Sequence, residues 1–169
     1  MQIELRPAGD ADRAFLRAVY ASTRADELAM SGLGAEQCER FIDQQFAAQD
    51  HHYRAHYTGA RFDLVLVDAA AVGRLYVARW AEEIRIMDIA LLPAWRGRGI
   101  GTHLLRALLA EGEASGKTVS IHVEIFNPAQ RLYHHLGFSP VSEVGVYRLM
   151  EWKPCRAAET GTSTDAPPC

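Results

Sequence analysis

The sequence predicts a mixed α/β domain that binds its ligand at the ends of strands, and three observations support this. Runs of branched apolar residues alternate along the chain with longer amphipathic segments, as strands alternate with helices. Three glycines stand at one strand-to-helix junction, within residues 96–101. A second junction follows at Asn127, where Asn and Pro suit the start of a helix and Gly137 suits its end. Open α/β sheets bind ligands at such strand ends.

The N-terminal half is predicted to hold a strand, two helices and a hairpin. Leu16 and Val19 in the first helix, and Ile42 and Phe46 in the second, have the spacing of one buried helical face. The predicted elements are a strand at 2–5, a helix from Asp10 or Asp12 to about 24, a helix at 36–49, and hairpin strands at 62–67 and 72–80.

The C-terminal half is predicted to continue with strands and helices in alternation. The predicted elements are a strand at 84–92, a helix at 99–115, a strand at 118–126, a helix at 128–136, and one or two closing strands within 141–152. The domain is predicted to span residues 1–153. The polar residues 154–169 are predicted to form a disordered tail.

Composition and spacing exclude several classes of protein. The chain has 169 residues, enough for one domain with a sizeable core, and its net charge of −3 gives no basic footprint for nucleic acid. No apolar run is long enough to span a membrane, and the N-terminus lacks a signal-peptide pattern. The three cysteines have neither disulfide nor metal-site spacing, and three histidines within 51–56 lie in a predicted polar connector. We therefore expect a cytoplasmic protein with no metal, nucleic-acid or membrane partner.

The glycine-rich stretch is the most informative feature of the chain. Residues 96–101 run Arg-Gly-Arg-Gly-Ile-Gly, after a predicted buried strand and before an amphipathic helix. The N-terminus of a helix presents unbonded N–H groups and a partial positive charge, and glycines let the backbone approach a ligand closely. The sequence therefore predicts an anion cradle, most naturally for phosphate.

The spacing excludes two common phosphate loops. A Walker A loop needs Lys and then Ser or Thr after its last glycine, but Thr102 and His103 follow Gly101. A dinucleotide fingerprint counted from Gly97 would need its third glycine at position 102. The pattern that is present, Arg-x-x-Gly-x-Gly, resembles the Gln/Arg-x-x-Gly-x-Gly/Ala motif of the GNAT superfamily of acyl-CoA-dependent N-acyltransferases.

The second junction strengthens this resemblance. Residues 127–138 are similar to the family's Asn…Leu-Tyr-x-x-Leu-Gly-Phe segment and follow the glycine motif in the family's order. The resemblance covers about residues 2–152. It implies a GNAT-like fold, with a mixed, mostly antiparallel central sheet flanked by helices in the order β-α-α-β-β-β-α-β-α-β-β.

The resemblance also implies where acetyl-CoA binds as co-substrate. Backbone N–H groups of residues 97–102 would hold its pyrophosphate, and two arginines would add positive charge. The backbone at the end of the strand 84–92 would pair with the pantetheine arm. Asn127 would also contact that arm, or would only cap its own helix. The implied cofactor-binding residues are Leu91, Leu92, Arg96, Gly97, Arg98, Gly99, Ile100, Gly101, Thr102, Asn127 and Tyr133.

Three catalytic residues are expected, namely Tyr133, Glu124 and Asp88. The resemblance places Tyr133 at the family's general-acid tyrosine, where a phenol protonates or hydrogen-bonds the leaving thiolate. Asp88 lies inside an apolar strand, where a carboxylate needs a partner. Strand alternation places His122 and Glu124 on one face of the next strand. Asp88, His122 and Glu124 could then form a proton relay that takes the amine's proton, and a structural hydrogen-bond network is the alternative.

The resemblance implies that the N-terminal half shapes the acceptor site, here the predicted loop 24–33 and the hairpin strand 73–80. Acidic residues in that loop would attract a cationic amine. Arg74 and Arg79 would pair with a carboxylate of the acceptor, or would be solvated surface residues.

We therefore predict an acetyl-CoA-dependent N-acetyltransferase that works by direct attack of the amine in a ternary complex, first of all on a small-molecule amine. A peptide or protein amine, at an N-terminus or a lysine, is the second hypothesis. A non-catalytic acyl-CoA sensor is the third. The closing strands around 146–152 would offer the edge for a homodimer.

Overall fold

The computed structural model describes residues 1–155, which contain four α-helices and seven strands. The elements are β1 Ile3–Pro7, α1 Arg13–Met30, α2 Ala35–His56, β2 Arg61–Val67, β3 Ala70–Arg79, β4 Glu83–Leu91, α3 Ile100–Ser115, β5 Thr118–Glu124, α4 Gln130–His135, β6 Ser139–Val144 and β7 Tyr147–Trp152. Their order is the predicted one. The predicted mixed α/β fold with a mostly antiparallel sheet is confirmed.

The chain forms two compact units. The first comprises residues 1–79 and 85–104, and the second comprises residues 80–84 and the described residues from Leu105 to Cys155. Within the seven-stranded sheet, the hydrogen-bonded neighbours run β1-β2-β3-β4 in the first unit and β5-β7-β6 in the second.

The first unit is organised around the β2–β3 hairpin. Its turn lies at Asp68 and Ala69, whose φ angles of 47° and 69° are those that a type I′ turn requires. The Asp68 N–H donates to the Gln2 carbonyl at 2.9 Å, and the Gln2 N–H donates to Asp68 Oδ1 at 2.8 Å. This exchange fixes the register of β1, in which Ile3 lies opposite Val67.

The apolar faces predicted for α1 and α2 are buried in the first unit. Tyr20 of α1 and Phe46 of α2 meet with ring centroids 6.0 Å apart. Each large apolar side chain buried in this way stabilises the fold by roughly 1.5–3 kcal/mol. The buried cluster consists of Leu16, Tyr20, Ile42, Phe46, Leu64 and Tyr76.

Both helices run further than predicted. The residues 25–30 that end α1 are mostly good helix formers, and Leu28 among them packs against the core. The predicted acceptor loop 24–33 is therefore largely helical, and Gly32, with φ of 72°, follows the end of the helix. The last turns of α2 are held by Tyr53, which also packs against the core. The histidines within 51–56 thus belong to a helix, and the prediction of a polar connector there was wrong.

In the second unit, β5 supplies a buried strand. Its Val119, Ile121 and Val123 are at most 4% exposed, and Met150 of β7, opposite Ile121, is fully buried. β7 pairs with β5 on one side and with β6 on the other. The prediction that residues 146–152 form an edge was therefore wrong for β7, and β6 ends this run of strands.

Packing in the second unit extends beyond residue 153. Pro154 is buried, and the Cys155 N–H donates to Glu113 Oε2 at 3.1 Å. The rest of the predicted tail lies outside the described residues. No helix in the described part of the chain is long and apolar enough to cross a membrane.

Candidate active site

Residues 96–101, the glycine loop, bring the backbone into the first turn of α3. Gly97 and Gly99 have φ angles of 70° and 81°, in the left-handed region that glycine tolerates best. A Cβ added to either would meet no heavy atom within 4 Å, so the backbone conformation rather than crowding requires glycine. The His103 N–H makes a helical bond to the Gly99 carbonyl at 2.9 Å. The first N–H groups of an α-helix have no partner within it, so those at the start of α3 suit the predicted cradle.

The electrostatics of this helix start favour an anion. The first turn of α3 contains no acidic residue, and the helix dipole places partial positive charge there. The Arg98 guanidinium lies 5.0 Å from the centre of the Trp95 ring. A pyrophosphate therefore fits the donors and the charge of the glycine loop.

Arg96 braces the glycine loop against two other elements of the first unit. Its Nε donates to the Leu91 carbonyl at the end of β4, at 2.8 Å. Its Nη2 lies 3.2 Å from Ser22 Oγ in α1. The hydrogen bonds of Arg96 thus serve the protein itself, while its charge remains beside the loop.

The two leucines predicted to pair with pantetheine, at the end of β4, differ in the direction of their backbone groups. The Leu92 N–H donates to the Val72 carbonyl of β3 at 2.9 Å. Because backbone groups alternate in direction along a strand, those of Leu91 point away from β3. Leu91 is thus the better placed of the two for added-strand pairing, although Arg96 already binds its carbonyl.

Asp88 has the buried partner that its position required. Arg74 is 1% exposed, and its Nη2 donates to Asp88 Oδ2 at 2.7 Å and to Gln49 Oε1 at 2.9 Å. The guanidinium carbon lies 5.8 Å and 5.1 Å from the ring centres of Tyr20 and Tyr76. The structural network, one of the two alternatives, is present at Asp88. Arg74 is buried, so the expectation of a solvated surface residue was wrong.

Phenols complete this network. The Tyr53 hydroxyl donates to the Met87 carbonyl at 3.1 Å and lies 3.5 Å from Asp88 Oδ2. Burial lowers the pKa of Arg74, but the Asp88 carboxylate and the neighbouring phenols outweigh it and leave that pKa raised. Burial raises the pKa of Tyr76, against the opposing effect of Arg74. Arg74 therefore stays charged and Tyr76 neutral at physiological pH.

In the second unit, the end of β5 keeps the predicted alternation. Ile121 and Val123 are buried, whereas His122 is exposed and Glu124 is half-buried. The Glu124 carbonyl accepts the Asn127 N–H at 2.9 Å, and Asn127 Oδ1 accepts the Ala129 N–H at 2.9 Å. Asn127 thus caps a turn, as its residue type predicts, although α4 itself begins only at residue 130.

Tyr133 lies in α4 with a buried ring. It is 4% exposed and packs edge-on to Phe138, with centroids 5.7 Å apart. Its carbonyl accepts the Phe138 N–H at 3.0 Å, just after Gly137, whose φ of 94° follows the end of the helix. Phe138 of the second motif thus packs against the Tyr133 ring, and the general-acid role remains a prediction.

Sequence reasoning missed Gln130, a buried residue with hydrogen bonds to the end of β5. Its position three residues before Tyr133 places it on the same face of a helix, which was the available signal. The structure thus groups Asp88, Leu91 and the glycine loop in the first unit, and Glu124, Asn127 and Tyr133 in the second.

Two histidines of α2 make a ring contact. The rings of His52 and His56 stack with centroids 4.3 Å apart, and His56 Nδ1 lies 3.0 Å from the His52 carbonyl. Residues 1–155 contain no group of three or more side chains suited to hold a metal ion.

Comparison with known proteins decides the family. The sequence pattern of the acetyltransferase (GNAT) family matches residues 17–138. The chain belongs to the GNAT family. Its glycine loop and Tyr133 both lie inside the matched span, which ends at Phe138, the last residue of the second motif.

Relatives of this GNAT acetyltransferase agree in sequence and in fold. The chain is 35% identical over 136 residues to the N-alpha-acetyltransferase RimI of Mycobacterium tuberculosis, covering 73% of this chain and 78% of that protein. Its fold is similar to that of the PaiA N-acetyltransferase of Thermoplasma acidophilum in complex with coenzyme A, with a TM-score of 0.69 at 19% identity over 90% of this chain and 99% of that one. An acetyltransferase from Thermus thermophilus gives a TM-score of 0.66 at 20% identity, over 90% of this chain and 97% of that one. The predicted GNAT fold and acyltransferase class are confirmed.

Proposed function

We propose that this GNAT acetyltransferase moves an acetyl group from acetyl-CoA directly to the α-amine of a polypeptide N-terminus. The observation that carries the proposal is the geometry of the glycine loop. Two left-handed glycines lead into a helix whose first turn holds no carboxylate, which suits a pyrophosphate. When bound, acetyl-CoA supplies the acyl group as an activated thioester.

The protein's own groups divide the work of binding. The N–H groups at the start of α3 hold the pyrophosphate, and Arg98 adds charge from its place on Trp95. The backbone of Leu91 pairs with the pantetheine arm. Asn127 contacts that arm from the turn that it caps.

Two residues of the second unit handle the protons. Glu124 takes the proton that the amine loses, and Tyr133 gives a proton to the departing sulfur. The Asp88 carboxylate is already the counter-charge of the buried Arg74, at 2.7 Å from its Nη2. We assign Asp88 the structural role of compensating that charge.

The choice of a polypeptide amine as the acceptor is supported by the RimI relative. Sequence reasoning favoured a small-molecule amine, with a polypeptide amine second. The RimI relative, named as an N-alpha-acetyltransferase, matches most of this chain at 35% identity, which favours the polypeptide. A small amine is the competing outcome of the experiment below.

The first experiment is a calorimetric titration of the protein with acetyl-CoA, followed by an acceptor panel that records release of coenzyme A. The panel pairs each peptide that has a free α-amine with the same peptide acetylated at its N-terminus. It also includes peptides whose only free amine is a lysine side chain, and polyamines. Binding with turnover restricted to the free α-amine supports the proposal. Turnover on polyamines alone would show that the acceptor is a small amine and not a polypeptide. Binding of acetyl-CoA without any turnover would favour a non-catalytic acyl-CoA sensor.

A pair of glycine variants isolates the glycine loop. Gly97 and Gly116 have nearly equal φ angles, 70° and 69°, and a Cβ at either has nothing within 4 Å. Replacing either with Ala should therefore reduce the free energy of unfolding by a similar amount, about 1–2 kcal/mol. Only Gly97→Ala should also weaken acetyl-CoA binding, by about tenfold. Equal acetyl-CoA affinity in the two variants would remove the glycine loop from the binding site.

A further inference from the structure

A buried glutamine, Gln130, is hydrogen-bonded to the backbone at the end of β5. Gln130 is 8% exposed, and its Nε2 donates to the Glu124 carbonyl at 3.0 Å and also to the Ile125 carbonyl. These carbonyls lie at the C-terminal end of β5, where the Ile125 N–H donates to the Val146 carbonyl at 2.9 Å. One side-chain amide therefore donates to two successive backbone carbonyls at this strand end.

The other end of the amide is held by the β6–β7 hairpin. Gln130 Oε1 accepts from Arg148 Nη1 at 2.6 Å. Arg148 Nε and Nη2 in turn donate to Glu143 Oε1 at 2.8 Å and 2.5 Å, across the strand pair in which these two residues are opposite. An amide turned over would place its NH₂ against the guanidinium and its oxygen against the carbonyls. Gln130 therefore has a single favourable orientation.

The same carbonyl connects Gln130 to the candidate active site. The Glu124 carbonyl accepts both the Gln130 amide and the Asn127 N–H. The position of Asn127, and the direction in which the Glu124 side chain leaves the strand, thus depend on a carbonyl that Gln130 holds.

We propose that Gln130 is a positioning residue for acyl transfer, which fixes the turn carrying Asn127 and Glu124 and ties it to the β6–β7 hairpin. This rests on the proposed function, because Asn127 and Glu124 act there on acyl-CoA and the amine. Gln130 does not touch either reactant in this scheme. Its effect passes through the backbone carbonyls of residues 124 and 125.

Two substitutions test the proposal. Gln130→Leu keeps the approximate size and removes both donors. Gln130→Glu keeps the shape, but an ionised carboxylate cannot donate to the carbonyls, whereas the protonated acid can. Gln37→Leu is the matched control, since Gln37 accepts the Gly34 N–H at 3.0 Å at the start of α2 in the other unit. Amide hydrogen exchange at Asn127 and Ile125, acetyl-CoA affinity and turnover are measured for each.

Gln130→Leu should reduce exchange protection at Asn127 by about tenfold or more and weaken acetyl-CoA binding by a similar factor, because the turn loses the side-chain amide that holds the Glu124 and Ile125 carbonyls. Gln130→Glu should bind acetyl-CoA well at low pH and progressively less as the new carboxyl ionises, a pH dependence that the wild type lacks. Gln37→Leu should change none of these. Wild-type protection at Asn127 and wild-type affinity in both Gln130 variants would overturn the positioning role. If the wild-type protein itself bound no acetyl-CoA, the proposed function would fail first, a result distinct from equal binding by wild type and variants.

Discussion

Each of the two units contains a polar network, and the two networks differ in the kind of group that is buried. In the first unit, the Arg74–Asp88 ion pair is enclosed, with side chains only 2% and 14% exposed. In the second unit the enclosed group is the neutral amide of Gln130. The charges that orient it, Arg148 and Glu143, are 24% and 51% exposed.

This difference predicts whether the loss of a contact lowers the stability of the unit or changes only local geometry. An enclosed charge needs its counter-charge, so the loss of one partner destabilises the whole unit. Arg74 Nε also has no hydrogen-bond partner among the described residues, which leaves its compensation to Asp88, Gln49 and the aromatic rings. A neutral amide that loses its contacts leaves only local carbonyls unsatisfied. The first network should therefore govern stability, and the second should govern the geometry of the site.

The largest effect on stability is expected for Asp88→Asn. The variant keeps the shape of the side chain but leaves the Arg74 charge uncompensated, so the free energy of unfolding should fall by about 3–5 kcal/mol. Urea denaturation measures this difference. The double variant Arg74→Met with Asp88→Leu removes both charges and should recover most of the loss. A loss below about 1 kcal/mol in Asp88→Asn would show that water reaches the pair, and the contrast between the two networks would disappear.

Tyr133→Phe should do the opposite, with a large effect on turnover and a small one on stability. The ring keeps its edge-on contact with Phe138, while the proton donor for the leaving sulfur is lost. General acid catalysis contributes about 10²–10⁴ in rate, so kcat should fall at least about a hundredfold with acetyl-CoA affinity unchanged. Single-turnover kinetics measures the chemical step. Unaltered turnover, with chemistry rate-limiting, would remove Tyr133 from the mechanism and leave it a packing residue.

The contrast between the networks also marks how far sequence reasoning reaches. Local signals predicted the start of α3 and the turn at Asn127, because glycine conformation and capping act within a few residues. The partner of Asp88 and the role of Gln130 depend on Arg74 and Arg148, which lie 14 and 18 positions away in the chain. No local pattern encodes such pairs.

Long-range pairing also explains the errors in the fold. The position of β7 between β5 and β6 follows from tertiary strand pairing, not from its own residues. The last turns of α2 look polar in sequence, and they are held by Tyr53, whose hydroxyl reaches the Met87 carbonyl in β4. The order of elements could be predicted, but the contacts that fix their ends and neighbours could not.

The smallest effect is expected for an ion pair of the first unit near the surface. Arg6 donates to both carboxylate oxygens of Asp12, at 2.8 Å and 3.1 Å, and the Gly9 N–H donates to Asp12 as well. The Arg6 hydrogen bond, followed by that from Gly9, lowers the pKa of Asp12. Because the folded state then binds this proton less readily than the unfolded chain, the stabilisation is present above the ordinary pKa of about 4 and is lost as pH falls through the folded value.

Asp12→Asn should therefore be slightly less stable than the wild type at neutral pH, and the two free energies of unfolding should converge as the pH falls below about 4. Added salt should narrow the difference at neutral pH, as it screens charges near the surface, whereas it should leave the Asp88→Asn difference nearly unchanged. Denaturation at several pH values and two salt concentrations measures both variants together. A difference for Asp12→Asn that persisted unchanged at low pH would show that the charge of Asp12 is not the source of the stabilisation.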